Sequence, residues 1–222
     1  MKIPAYVSFL TIALNVIVPA LVWYGFFRMA QSAALQPGER RRLVTAVPPL
    51  IGIGYLILSP AFRKVLQAVP YHQIVGIQVV RSIGVLFLIL SGLGLMPTTF
   101  AGPAGWGDTL TGIVAPMVAY ALATQKRWSR PLAFGWNLFG MVDLVTAVTL
   151  GVLTAPGILQ RLALDQPNVL ITTFPIVLIP SLAVPLMMLL HIFSLYQLQT
   201  QQQQGIAETA VVSAVFGRRL VY

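Results

Sequence analysis

From Ile74 to Leu95 the chain runs through apolar residues with a single charge, Arg81, and runs of this kind recur along its length. A helix needs about 20 such residues to cross a hydrocarbon layer about 30 Å thick. Nothing in the sequence constrains the fold more. Hydrophobic residues make up 57% of the 222 and charged residues only 9%, against about 25% charged in an ordinary soluble domain. So few charges cannot cover a water-facing surface, and the expected class is all-α: a polytopic transmembrane helix bundle.

In chain order, Ala5 to Phe27 is the first apolar run, broken only by Asn15 and Pro19 and closed by Trp23, Tyr24 and Arg28. Lys2 resembles the charged start of a signal peptide, but the run exceeds the 7–15 residues of a signal core, and a retained first span is expected. Gln31 to Arg42 is a polar loop with a basic tip, Glu39-Arg40-Arg41-Arg42. Leu43 to Phe62 is uncharged but carries Pro48, Pro49 and Pro60. It reads as a second span opening near Pro48, with a re-entrant hairpin as the alternative. Arg63 to His72 follows as a short basic connector.

Four further spans are expected over Ile74–Leu95, Asp108–Thr124, Leu132–Leu153 and Ile171–Tyr196. Pro175, Pro180 and Pro185 predict a kinked last span that opens with irregular backbone. Beyond it, QLQTQQQQG reads as a low-complexity linker. Ile206 to Tyr222 reads as a surface helix or a disordered tail. The transmembrane domain thus covers residues 1–196 and the tail 197–222.

The 14 Lys and Arg outnumber the 5 Asp and Glu, for a net charge of +9. They lie in short clusters between apolar runs, which suits membrane flanks better than a nucleic-acid face. Six spans divide these clusters only weakly between the two sides. Five spans, with Leu43 to Phe62 not crossing, leave only Lys2 and Arg161 outside and satisfy the positive-inside rule better. Length and hydropathy favour six, and both arrangements put the C-terminal tail in the cytoplasm. The chain has no cysteine, so disulfides, thiolate nucleophiles and cysteine metal sites are excluded.

The order GIQVVR, LMPTTFAGPAGWGDTLTGI, WNLFGMVDLVTAV, Pro167-Asn168 and FPIVLIPSLAVPLMMLLH resembles an uncharacterised family of bacterial multispanning membrane proteins, over Val75 to Leu198. The resemblance implies a multi-pass protein of the bacterial inner membrane and attaches no activity to any residue.

An ionisable group inside a span costs about 2.5–3.5 kcal/mol on insertion scales and is a functional candidate for that reason. Arg81, Asp143 and His191 are such groups, and antiparallel spans bring them to one leaflet. At about 1.5 Å per residue the depths of Arg81 and Asp143 differ by roughly 6 Å. Asn137, two turns before Asp143, shares its face. The expected site is an intramembrane polar cluster of Arg81, Asp143, His191 and Asn137. It acts either as a self-satisfied helix tie or as a proton-linked or anion-binding site. His191 alone also invites haem ligation, but its one companion, His72, lies in a connector, and no cofactor or metal is implied.

Gly105-Trp106-Gly107-Asp108 matches the GxGD of intramembrane aspartyl proteases in four residues. The partner aspartate of those families precedes GxGD, whereas Asp143 follows it. The spans as read put Asp108 and Asp143 roughly 15 Å apart along the membrane normal. Asp108 is therefore expected to cap or start a helix, approached by a tight extramembrane turn through Gly105 and Gly107. No P-loop, zinc spacing, serine elbow or dinucleotide fingerprint occurs. The remaining classes are a small transporter-like or ion-coupled protein and a non-catalytic accessory or assembly subunit of a membrane complex. An enzyme is the least supported. The expected partners are the lipid bilayer and other membrane subunits, not nucleic acid.

Overall fold

In the computed structural model, residue 54 and residues 56–217 are described, and among them every regular element is helical. The first expected span, 5–27, lies outside the described residues, as does most of the second, 43–62. At the end of that second run the chain does not continue as one helix. Ser59 is extended (φ −106°, ψ 100°), its hydroxyl accepts from the Phe62 amide at 3.1 Å, and Pro60 opens a short helix, α1 (Pro60–Ala68). Proline suits that first turn because the missing N–H has no intrahelical partner there.

Pro70 ends the connection, and α2 runs from Tyr71 to Gly92. Its middle, Ile77–Gly84, tightens to a 3₁₀ helix and carries Arg81. The turn after Gly92 uses Gly94 at φ +70°, where a side chain would be strained, and Pro97 precedes α3 (Thr98–Ala123). The next helix, α4, covers Ser129–Thr154. A long connection follows, pinned where the Asn168 amide reaches the Thr154 carbonyl at 2.9 Å. A π-helical segment, Ile179–Ala183, then leads into α5 (Val184–Gly217).

The helices form a ring in which α3 lies between α2 and α4, and α5 closes the other side against both. Three helical stretches are long and apolar enough to cross a membrane: Tyr71–Gly92, Ser129–Thr154 and Ile179–Thr200. Six are not found among the described residues. At 26 residues α3 has the length, but its glycines, threonines and prolines lower its hydropathy.

One expectation needs correction. Met96 to Gly107 is not a turn, since the helix begins at Thr98 and runs through it. The buried face of α3 is made of small residues, among them Ala101, Ala104, Gly105, Gly107, Gly112 and Ala115, so neighbouring helices pack against its backbone and hold it helical. The glutamine-rich stretch, expected as a linker, carries helical backbone that continues α5 to Gly217.

Candidate functional site

The centre of the ring is polar and its outside is apolar. Arg81, Asp108, Asn137, Asp143, His191, Ser194 and Gln197 are buried, while Ile77, Ile83, Ile113, Met117, Leu138 and Val142 are exposed. In a water-soluble bundle the arrangement would be the reverse.

Arg81 stands at the middle of the network, 3% exposed. Its Nε donates to Asp108 Oδ1 at 2.7 Å, and its Nη2 donates to Asp143 Oδ2. Nη1 reaches the Gly140 carbonyl at 3.3 Å and His191 Nε2 at 2.8 Å. All three guanidinium nitrogens are therefore engaged, and side chains of α2, α3, α4 and α5 meet on one residue.

The contacts fix the state of His191. A guanidinium only donates, so Nε2 must be the acceptor and the proton of the neutral ring sits on Nδ1. Nδ1 then donates to Asn137 Oδ1 at 2.9 Å. The Asn137 amide nitrogen donates in turn to the Ala133 carbonyl at 2.8 Å and to Ser194 Oγ at 2.9 Å. Trp136 lies against the imidazole at a centroid distance of 5.0 Å and is itself held by a 3.1 Å bond from Nε1 to the Thr111 carbonyl. With both ring nitrogens occupied, His191 can ligate haem only by giving up Arg81.

Close helix approach makes this geometry possible. A Cβ on Gly107 would lie 1.7 Å from Asp143 Oδ1, and one on Gly140 would lie 2.4 Å from the His191 ring. A Cβ on Gly84 would meet Asp108 Cβ at 2.4 Å.

The structure brings Arg81, Asp143, His191 and Asn137 together. It also places Asp108 among them, eleven residues into a helix whose cap is Pro97, so Asp108 neither caps nor starts a helix. Gly105 and Gly107 are helical contact residues, with Gly105 packed on Leu88. The expected separation of Asp108 from Asp143 along the normal disappears once α3 begins at Thr98. The two carboxyls still do not form a protease dyad, which must share a proton and activate water between them. Here the Arg81 guanidinium occupies an oxygen of each. Sequence reasoning passed over Gln78, Ser194 and Gln197, whose uncharged side chains barely lower the hydropathy of their runs.

The result is an all-helical bundle with an apolar exterior and an ionic centre, three of whose helices have the length and hydropathy of membrane spans. The chain belongs to the family described as a domain of unknown function, DUF8737, which matches residues 40–199 and so encloses the whole cluster. No curated protein and no solved structure matches the chain.

Proposed function

We propose that this is a multi-pass protein of the bacterial inner membrane, transporter-like, in which the Arg81 cluster binds and releases a proton or a small monovalent cation. The observation that carries the reading is the charge count around Arg81. Two buried carboxylates share one guanidinium, and His191, an acceptor at Nε2, adds no charge. An uncompensated buried charge is costly. The cluster is one positive charge short, and an exchangeable ion supplies it. Occupancy at Asp108 or Asp143 would loosen that residue's bond to Arg81 and hence the tie between two helices, which couples the ion to the shape of the bundle. The 3₁₀ stretch under Arg81 and the π segment leading into α5 are irregularities of the kind found at moving functional sites.

The apolar exterior supports the membrane location, and α3 together with the first two apolar runs would bring the spans to six. Arg63, Lys64, Lys126, Arg127 and Arg130 lie at one end of the bundle, against Arg161 with Asp165 at the other. This supports a cytoplasmic position for the end carrying α1 and the C-terminal tail. An accessory role in a larger membrane complex is the second reading, favoured by the completeness of Arg81's contacts, which suit a passive helix tie.

The test is proton uptake into proteoliposomes under an imposed membrane potential, paired with infrared difference spectra across pH. The reading expects a titrating carboxyl band that Asp108→Asn or Asp143→Asn removes, and uptake that the same variants reduce. Absence of both, with the protein copurifying stoichiometrically with other subunits, selects the accessory role.

A further inference from the structure

Buried polar side chains are not distributed evenly about Arg81. Toward the α1 end, Gln78 precedes Arg81 on α2 by about one turn, Asn137 precedes Asp143 on α4, and Ser194 and Gln197 follow His191 on α5 at successive turns. Toward the other end the next buried side chains are Phe87, Ala104, Leu144, Val184 and Met187, and among the described residues buried polar groups reappear only at Thr154 and Asn168, which bond each other at 3.4 Å.

The polar half also contains groups without partners. Gln78 is 0% exposed, and neither its amide oxygen nor its amide nitrogen has a hydrogen bond. The buried Tyr71 hydroxyl likewise makes none. Gln197 donates to the Leu66 and Val69 carbonyls at the corner between α1 and α2, while its Oε1 is unpartnered. Buried polar atoms of this kind are satisfied by internal water, which makes about three bonds to such groups. At membrane depth they mark water-filled paths.

We propose a one-sided water path that enters at the α1–α2 corner beside Gln197, passes Tyr71 and Gln78, and ends at His191 and Arg81. Its ligand is water and the proton that water carries. From Ser194 a chain of side-chain hydrogen bonds continues it, through Asn137 to His191 Nδ1 and from Nε2 to Arg81. Beyond Arg81 the apolar layer of Phe87, Leu144 and Met187 closes it. The inference rests on the ion-coupled reading for its purpose, but its test reads access and not proton movement.

The chain has no cysteine, so single cysteines can be introduced without further changes. Gln78→Cys, Ser194→Cys, Phe87→Cys and Leu144→Cys would be exposed in vesicles to a charged, membrane-impermeant thiosulfonate added to either face, with Lys126→Cys and Asp165→Cys marking the two surfaces. The path requires Gln78→Cys and Ser194→Cys to react from the face that labels Lys126→Cys, and Phe87→Cys and Leu144→Cys to be protected from both. Protection of all four, or reaction from the face that labels Asp165→Cys, overturns it. Where a variant fails to fold, hydroxyl-radical footprinting of the unaltered protein decides: oxidation of Tyr71 with Phe87 unmarked supports the path, and the reverse overturns it. Labelling without proton uptake would sink the ion-coupled reading and leave the path standing. Uptake without labelling would do the opposite.

Discussion

Arg81 and Asp108, 27 residues apart in the chain, are joined by a 2.7 Å bond in which both side chains are buried, and Asp143 takes a second nitrogen of the same guanidinium. One cation between two carboxylates makes the loss of each partner unequal. Asn at position 108 or 143 still leaves a one-to-one pair, so either single neutralisation is expected to cost at most about 1–2 kcal/mol. Arg81→Gln leaves two carboxylates facing each other and is expected to cost about 3–5 kcal/mol. The double variant Asp108→Asn/Asp143→Asn, which strands the guanidinium, belongs with Arg81→Gln and exceeds the sum of the singles. Thermal unfolding in detergent checks the ranking. A single neutralisation as damaging as Arg81→Gln would mean that the count of one cation to two carboxylates does not set the stability of the cluster.

The glycines divide just as sharply. A methyl at Gly107 or Gly140 would run into Asp143 or into His191 and Arg81, with approaches of 1.7 and 2.4 Å. Gly107→Ala and Gly140→Ala are expected to lose about 1–3 kcal/mol through forced displacement of the cluster. Gly135, on the same helix as Gly140, has nothing within 4 Å of its would-be Cβ. Gly135→Ala is expected to gain about 0.5–1 kcal/mol from helix propensity alone. Equal effects at positions 135 and 140, measured by the same unfolding assay, would contradict the packing described here.

Much of the site was legible because a charge in an apolar run stands out without any knowledge of the fold. Arg81, Asp143 and His191 announce themselves in this way, and antiparallel order alone sets them at similar depth. Asp108 was displaced by a local rule that packing overrode. Three glycines and two prolines between Met96 and Asp108 argue against a helix by about 1 kcal/mol per glycine and about 3 per proline in a helix interior. Yet Gly105 and Gly107 are the residues that let α2 and α4 close upon α3. Propensity sees their cost, whereas contact with Leu88 and Asp143 becomes visible only in three dimensions. Gln78 and Ser194 carry no charge and so gave no signal, although Ser194 accepts from Asn137 within the network.

His191 offers a spectroscopic test that does not depend on activity. Because Arg81 can only donate, the ring is expected as the neutral tautomer with its proton on Nδ1 and its Nε2 lone pair accepting from Arg81. Nitrogen NMR of selectively labelled protein distinguishes the two ring nitrogens. Asn137→Leu removes the acceptor for Nδ1–H and the donor to Ser194, at an expected cost of about 1–3 kcal/mol, and should shift the Nδ1 resonance more than the Nε2 resonance. A doubly protonated ring in the native protein would refute the assigned network and remove the charge deficit on which the ion-coupled reading rests.

Trp106 decides whether the glycine-rich part of α3 lies in the membrane. It is 59% exposed, while Trp136 on α4 is 6% exposed. Trp106 sits on α3 within one turn of Asp108, at the level where Gly84 of α2 meets that aspartate. A side chain exposed at this depth faces acyl chains if α3 spans the bilayer, and faces water if residues 96–107 form a surface turn. In proteins keeping one tryptophan at a time, with phenylalanine at the other three positions, Trp106 fluorescence should be quenched strongly by lipids brominated deep in the acyl chain and weakly by aqueous acrylamide. Trp136, enclosed by His191 and the Thr111 carbonyl, should be weakly quenched by both. Strong acrylamide quenching of Trp106 would return the first half of α3 to the surface and detach Asp108 from the buried cluster.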